Sequence, residues 1–202
     1  MLTYENELWA TGVEMIAGID EVGRGCLFGD VVAAAVILPP SLVIEEINDS
    51  KKLSEKKREF CYEVIMEQAL AIGVGRVNAE MIDQINIKQA ARLAMKRAVE
   101  HMLIQPQHLL IDAETIDMTY PQLAIIKGDQ LSQSIAAASI IAKVTRDRLC
   151  LNWDMLYPGY GIAIHKGYAT ELHRARILEL GPTALHRRTF LGNIMNEQLE
   201  LF

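Results

Sequence analysis

Carboxylate side chains at the ends of apolar runs have the clearest capacity for chemistry in this sequence. Asp20 and Glu21 follow the run IAGI, Asp112 closes HLLI, and Asp129 comes after IIKG. Neighbouring carboxylates repel each other wherever water is limited, so they need protons or a cation between them. Ligands of open α/β sheets collect at the carboxyl ends of strands. The pattern therefore predicts a cation site formed by these acids.

Oxygen ligands favour hard ions, so the expected cation is Mg²⁺ or Mn²⁺ rather than zinc. Two such ions about 3.5–4 Å apart can activate a water molecule and stabilise the leaving oxygen of a phosphodiester. Each acid also has a structural alternative. Asp129 could cap a helix that begins near Ser132, and Asp112 could cap the residues that follow it. Both interpretations stay open on the residues alone.

The tripeptide Gly23-Arg24-Gly25 comes directly after the first acids. Its glycines allow the backbone to approach a ligand closely with exposed N–H groups. A backbone of this kind can contact the 2′-OH that distinguishes RNA from DNA. The alternative is a tight turn into Leu27. The spacing is not that of a dinucleotide-binding GxGxxG motif, and a P-loop is absent from the sequence.

Apolar runs bounded by turn residues predict the elements that must position these groups. The predicted strands are Met15–Asp20, Val31–Leu38, Ala71–Val77, His108–Asp112 and Leu123–Gly128. The first predicted helix runs from Ser54 to about Ala69, with Phe60 and Val64 as apolar positions at helical spacing. A short helix is predicted from Asn78, and longer ones over Ile87–Met102, Ser132–Leu151 and Thr170–Leu180. Helical patterns return after Pro182. Three early strands followed by strand–helix alternation indicate an α/β layered fold with a mixed sheet.

Composition indicates an ordinary globular protein of 202 residues, with 50% hydrophobic and 23% charged residues. Cys26, Cys61 and Cys150 are far apart and odd in number, which favours reduced thiols over a zinc site. The N-terminal residues lack the basic region of a secretory signal. Runs such as Val31–Pro40 are too short to span a bilayer. We therefore expect a cytoplasmic protein without a membrane partner.

The formal net charge of −6 argues mildly against a nucleic-acid partner, but the charge is unevenly distributed. Basic side chains outnumber acidic ones between Lys143 and Arg188, whereas the first part of the chain is acidic. This asymmetry suits a metal in one region and a polyanion in the other. On charge alone, solvated helix faces are the preferred explanation of these residues.

Six longer motifs make the sequence similar to the type 2 ribonuclease H family, ribonuclease HII. They are GIDEVGRG, NDSKKLSEKKRE, LLIDA, KGDQLSQSIAAASIIAKVTRDR, HKGYAT and GPTALHRRTF, in family order over about residues 15–190. The resemblance implies an RNase H-like five-stranded mixed sheet flanked by helices, with residues 1–150 as catalytic core and 151–202 as a C-terminal helical portion that completes the substrate groove. It implies a metal-dependent endonuclease that cuts RNA in RNA–DNA hybrids and single ribonucleotides in duplex DNA on their 5′ side, leaving 3′-hydroxyl and 5′-phosphate ends, with a role in removing ribonucleotides from DNA.

The same resemblance implies roles for individual residues. The catalytic carboxylates fall on Asp20, Glu21, Asp112 and Asp129, the first three as metal ligands. Asp147 competes for the fourth place, and its alternative role is an ion pair along a helix. The backbone of Gly23, Arg24 and Gly25 would contact the ribonucleotide 2′-OH, and Tyr168 would pack on the following deoxyribose. Expected phosphate contacts are Lys51, Lys52, Lys143, Arg146, His165 and Lys166, each with a solvated surface charge as its alternative.

Three residues depart from the family pattern. Cys26 stands where proline is usual, Asp30 where a small residue or proline is usual, and Ile162 where an aromatic residue is common. They leave the proposed catalytic residues in place, and substrate preference is what they put in question. His173 and His186 lack metal-ligand or triad spacing, and we assign them no chemistry.

The last residues, NEQLELF, resemble the short peptide by which bacterial repair proteins dock on the sliding clamp. Leu201 and Phe202 would fill an apolar pocket, and Gln198 beside Leu199 would anchor the peptide by hydrogen bonds. The alternative is a helix end that packs on the protein's own core. We expect a monomer. The competing functions are a ribonuclease HIII-like hybrid nuclease and a hybrid-binding module without catalysis.

Overall fold

The computed structural model describes residues 1–47 and 53–199, with the backbone alone for residues 46 and 196–199. Five strands lie within this part of the chain: β1 (Ile16–Val22), β2 (Val31–Ile37), β3 (Ala71–Val77), β4 (His108–Asp112) and β5 (Gln122–Ile125). They form one sheet in the order β3-β2-β1-β4-β5. β1 is antiparallel to β2 and parallel to β4. The predicted five-stranded mixed sheet is confirmed.

Strand ends differ from the predictions by a few residues. β1 continues to Val22, which pairs with Val32 of β2, so Asp20 and Glu21 lie within the strand. β5 ends at Ile125, three residues before its predicted end. β1 is longer than predicted because its last residues pair with the antiparallel neighbour β2, and the local sequence of β1 carries no information about that pairing.

The helices are α1 (Thr3–Trp9), α2 (Glu55–Gln68), α3 (Ala79–Glu100), α4 (Gly128–Leu131), α5 (Gln133–Leu156), α6 (Ile162–His165), α7 (Glu171–Leu180) and α8 (Gly192–Leu199). The short helices α1, α4 and α6 were not predicted. α5 runs through residue 150, so the expected division of the chain at that point falls inside a helix. Asn86 has a φ of 65° inside α3, which matches the two helices predicted on either side of it.

The buried face of α2 differs from the predicted one. Its N-cap is Ser54, as expected, and the Ser54 hydroxyl accepts a hydrogen bond from the Lys57 amide. Cys61 and Ile65 are buried against the core, whereas Phe60 is 57% exposed. The assignment of Phe60 to the apolar face was wrong, because the helix turns its Cys61–Ile65 stripe towards α5.

The sheet is covered on both faces. Side chains of α3 pack on Ala17, Ile19 and Ala33, and those of α5 pack on Ala34 and Val36 from the other side. A Cβ at position 18 would lie 2.0 Å from the backbone of Ser134 at the start of α5. Glycine at this position therefore lets α5 lie directly on β1, where it faces the catalytic candidates.

The N-terminal helix α1 is attached to the start of α5 through a buried carboxylate. Glu5 accepts hydrogen bonds from the Ser132 hydroxyl at 2.7 Å and from the Ser134 amide at 3.0 Å. Ser132 in turn caps α5 by accepting from the Ile135 amide. None of the helices in the described ranges is both long and apolar enough to cross a membrane.

Candidate active site

Three of the four predicted catalytic carboxylates lie near the carboxyl ends of the neighbouring parallel strands β1 and β4, a region termed the active-site edge of the sheet. β1 carries Asp20 and Glu21 near its end, and Asp112 ends the parallel neighbour β4. Asp20 is buried on the α5 face, where the Ser139 hydroxyl hydrogen-bonds to it. Burial, followed by repulsion from the Glu21 and Asp112 carboxylates, raises the pKa of Asp20 well above its usual range.

Glu21 shares this electrostatic strain. Burial raises its pKa, while Arg24 opposes the shift by donating from Nη1 to Glu21 Oε1 at 3.1 Å. Glu21 Oε2 is buried and has no hydrogen-bond partner within the described residues. Such an atom is available to a ligand, and among protein ligands of hard cations a carboxylate oxygen is the usual one.

Asp129 belongs to the short helix α4 rather than to the cap of α5. Its side chain is buried, and Ser132 supplies the cap instead. Asp112 Oδ1 accepts a hydrogen bond from the Gly128 amide at 2.7 Å, which ties α4 to the end of β4. The two capping alternatives are therefore wrong, since neither acid caps the helix suggested for it.

Asp147 has the alternative role predicted for it, an ion pair along a helix. Its Oδ1 lies 2.7 Å from Lys143 Nζ, one turn earlier in α5, and its Oδ2 lies 3.8 Å from Arg58 Nη1. Both oxygens of this carboxylate thus face cationic side chains. This arrangement favours Asp129 as the fourth carboxylate.

The chemistry of the acids at this edge fits a hard divalent cation. All donors are carboxylate oxygens, burial and then mutual repulsion raise the pKa of Asp20, and a buried oxygen of Glu21 has no hydrogen-bond partner among the described residues. Across the described ranges, no group of three His, Cys, Asp or Glu side chains is arranged so that it could hold a metal ion as it stands. The fit to a divalent cation therefore rests on the donor chemistry of the acids and not on a preformed cluster.

A cavity of about 260 Å³ opens beside these carboxylates. Its walls include Asp20, Glu21, Arg58, Ser139, Lys143 and Tyr168. Lys143, a predicted phosphate contact, lies on this wall and is partly exposed. Sequence reasoning missed Ser139 and Arg58. A helical period was the available signal for Ser139, because residues 139, 143 and 147 recur every four positions on one side of α5.

The glycine-rich tripeptide and the predicted sugar-packing tyrosine are neighbours. Cys26 pairs with Tyr168 as an isolated antiparallel bridge, and the Leu27 amide donates to the Gly167 carbonyl at 2.8 Å. A Cβ at Gly25 would lie 4.0 Å from the Tyr168 ring. Because Arg24 also contacts Glu21, the loop, the tyrosine and the carboxylates form one continuous surface.

Two buried arginines hold this loop from below by its carbonyl groups. Arg146 donates to the carbonyls of Asp30, Phe28 and Lys166 at 2.8–3.0 Å. Arg187 donates to the carbonyls of Gly29 and Arg24 at 3.0 and 2.9 Å, and burial lowers its pKa to about 10. The expected phosphate contact by Arg146 is corrected here, because its side chain is 1% exposed and its donors are already engaged.

The three late histidines pack together beneath the same loop. The His165 and His173 rings stack at 4.1 Å, and His173 Nε2 lies 3.2 Å from His186 Nε2. Burial lowers the pKa of His173 to about 4 and that of His186 to about 3, so both are neutral near pH 7. His165 is 7% exposed and contacts the Tyr160 carbonyl, which corrects its expected phosphate contact.

The other predicted positions are only partly covered by the structure. Lys166 is half-buried, and its carbonyl accepts from Arg146 and from the Cys26 thiol. Lys51 and Lys52 lie outside the described residues. So do Leu201 and Phe202, and only the backbone of Gln198 and Leu199 is described, at the end of α8.

The departures from the family pattern have local partners. Asp30 forms an ion pair with Arg76 on β3 at 2.8 Å, so its charge is balanced within the sheet. Ile162 is fully buried in a cluster with Phe28 and Trp153. Position 162 thus keeps a buried apolar side chain, although isoleucine replaces the usual aromatic ring.

Comparisons with known proteins agree with this geometry. The family model for Ribonuclease HII matches residues 17–192. A curated relative from Alkaliphilus metalliredigens (strain QYMF), named Ribonuclease HII, is 60% identical over 200 residues, which cover 96% of this chain and 98% of that protein. The ribonuclease HIII alternative is thereby set aside.

Solved structures support the same fold. The ribonuclease H2 from Pyrococcus horikoshii OT3 superposes with a TM-score of 0.76 at 23% identity, over 90% of this chain and 97% of the other. A structure of the PCNA:RNase HII complex from Archaeoglobus fulgidus gives a TM-score of 0.70 at 26% identity, over 86% and 93% of the two chains. The chain therefore belongs to the ribonuclease HII family, a family of endoribonucleases.

Proposed function

We propose that this enzyme cuts RNA in RNA–DNA hybrids and cuts on the 5′ side of single ribonucleotides in duplex DNA, which would serve the removal of ribonucleotides from DNA. One observation carries the proposal: the loop that can contact a 2′-OH lies against the acids that can hold metal. Arg24, at the centre of that loop, donates a hydrogen bond to Glu21, which is one of these acids. A ribose recognised by the loop would therefore lie beside the reacting phosphate.

The proposed ligands of Mg²⁺ or Mn²⁺ are Asp20, Glu21 and Asp112, with Asp129 as the fourth catalytic carboxylate. When bound, such ions would supply Lewis-acid stabilisation of the scissile phosphate and an activated water. The protein's own part is to hold these acids near the carboxyl ends of β1 and β4, where Asp20 is buried and burial also raises the pKa of Glu21. Ser139 and Arg24 orient Asp20 and Glu21 by hydrogen bonds.

Recognition of the ribonucleotide is assigned to the backbone of Gly23, Arg24 and Gly25. The φ of Gly23 is +92°, and a Cβ there would lie 2.3 Å from Arg146 Nε, so this turn excludes a side chain. The exposed Tyr168 ring next to Gly25 offers a flat surface to the following deoxyribose. Lys143 on the cavity wall and Lys166 are the remaining described candidates for phosphate contacts.

A cleavage assay tests the function directly. With Mg²⁺ or Mn²⁺, a DNA duplex containing one ribonucleotide is expected to be nicked on the 5′ side of that ribonucleotide, leaving 3′-hydroxyl and 5′-phosphate ends. An RNA–DNA hybrid is expected to be cut, and an all-DNA duplex is expected to stay intact. Asp112→Asn should abolish cleavage. A protein that leaves the single-ribonucleotide duplex uncut with both metals would refute the proposal.

We also propose that Gln198, Leu199, Leu201 and Phe202 bind a sliding clamp. The support is the resemblance of these residues to clamp-binding peptides, together with the fold neighbour whose structure was solved as a PCNA complex. Deleting residues 198–202 is expected to remove clamp binding in a pull-down assay while the nicking rate stays within about twofold, because none of the proposed catalytic and substrate-binding residues belongs to this segment. Clamp affinity that survives the deletion would contradict the assignment.

A further inference from the structure

The cavity beside the carboxylates has a second cationic wall, which comes from α2. Arg58 lines this cavity together with Lys143 and Tyr168. Its side chain is 15% exposed, and its Nη2 donates to the Leu53 carbonyl at 2.9 Å. Its Nε is buried, so a ligand in the cavity would bind the terminal nitrogens Nη1 and Nη2. Each of these carries two N–H groups, and Nη2 uses one of its two on the Leu53 carbonyl, so the guanidinium is held in place with donors left for a ligand.

Asp147 fixes the position of this arginine relative to Lys143. One carboxylate oxygen lies 2.7 Å from Lys143 Nζ, and the other lies 3.8 Å from Arg58 Nη1. Two cations with one anion between them leave a net positive charge on this side of the cavity. The same cavity is lined by Asp20 and Glu21. A phosphodiester strand in this cavity would meet both the acids proposed to hold metal and a net positive charge that attracts phosphate.

Packing of α2 on α5 does not rest on Arg58 alone. Cys61 and Ile65 supply the buried apolar contact between the helices. Besides the Arg58–Asp147 ion pair, Arg148 of α5 donates to Glu59 at 2.8 Å and lies over the Tyr62 ring. A guanidinium with a fork of N–H donors is the side chain best suited to bind phosphate oxygens.

We propose that Arg58 binds a phosphate of the substrate backbone in this cavity, with Asp147 and the Leu53 carbonyl holding the guanidinium in place. The inference rests on the proposed function for the identity of the substrate. It assigns to α2 a direct part in substrate binding, beyond the catalytic carboxylates and the glycine-rich loop.

The test measures binding and cleavage of a duplex with one ribonucleotide by Arg58→Ala, Arg58→Lys and the matched control Arg148→Ala. Binding is followed by fluorescence anisotropy at several salt concentrations, in an Asp112→Asn background that leaves the duplex intact. For Arg58→Ala we expect affinity to fall roughly tenfold and the slope of log affinity against log salt to fall by about 0.9, as for one lost phosphate contact. Arg58→Lys should retain most of the slope, because it keeps the charge.

Cleavage kinetics separate binding from a structural effect. Arg58→Ala should raise KM with a smaller change in kcat, and its melting temperature should match that of Arg148→Ala, which keeps the wild-type KM and salt slope. An unchanged salt slope in Arg58→Ala, or a loss of affinity that appears only with a loss of folding, would overturn the inference. If the unmodified protein fails to cut the duplex, the proposed function fails, whereas the salt slope still decides the role of Arg58.

Discussion

An Asp20→Asn enzyme is expected to lose roughly 1000-fold in cleavage rate while its melting temperature rises. The loss corresponds to several kcal/mol of transition-state stabilisation, the amount that a bound metal ion commonly supplies. The gain in stability has a separate cause. Asp20 is buried, and repulsion by Glu21 and Asp112 raises its pKa, so its charge near pH 7 costs folding free energy. Asparagine removes that charge while keeping a similar shape.

Differential scanning fluorimetry with and without metal checks both parts of this expectation. Each kcal/mol of repulsion removed is worth about 3 °C in a chain of this size. Addition of Mg²⁺ or Mn²⁺ should raise the melting temperature of the unmodified enzyme and change that of Asp20→Asn much less. Asp117→Asn, at an exposed acid that does not line this cavity, serves as the matched control and should behave like the unmodified enzyme. An Asp20→Asn variant that cuts normally would contradict the assignment of Asp20.

Replacing Arg146 with leucine is expected to destabilise the protein by at least about 3 kcal/mol, because each buried carbonyl left without a donor costs about 1–3 kcal/mol. Three carbonyls, those of Asp30, Phe28 and Lys166, lose their donor at once. The first two belong to the loop that follows Gly25, and the third precedes the segment of Tyr168. Cleavage should therefore also fall, because recognition of the ribonucleotide depends on the shape of this loop.

Urea unfolding of Arg146→Leu beside the surface control Arg174→Ala measures the effect. The control should stay within about 0.5 kcal/mol of the unmodified protein, as exposed substitutions usually do. A phosphate-binding role for Arg146 predicts a different pattern, a raised KM with an unchanged free energy of unfolding. That pattern would contradict the burial of this arginine.

Both variants bear on one structural feature, the junction between the metal-binding edge and the glycine-rich loop. Arg24 joins them on the surface through Glu21, and Arg187 holds the Arg24 carbonyl from inside. Loss of the Arg187 contact would loosen the loop and leave the acids in place, whereas loss of the Arg24 contact would also release Glu21 from its hydrogen bond. The ability to recognise a ribonucleotide is thus expected to be more fragile than the ability to hold metal.

Local sequence was sufficient to predict the sheet and the acids at its edge. Apolar runs such as Val31–Ile37 form strands whose residues are buried on both faces, and acids that follow such runs collect near the carboxyl ends of the strands. The Ser54 cap and the break near Asn86 were predictable for the same reason, since caps and breaks depend on nearby residues. The family motifs added the roles of those acids.

Tertiary structure alone decided which charged residues face a ligand and which support the fold. Arg146 and Lys143 lie three positions apart in one helix, yet Arg146 points at buried loop carbonyls and Lys143 at the open cavity. His165 joins two distant histidines in a neutral stack, whereas Arg58 enters the cavity from a different helix. A charge in the sequence is the same in both surroundings. Its role depends on whether long-range packing surrounds it with carbonyl groups or leaves it open to solvent and substrate.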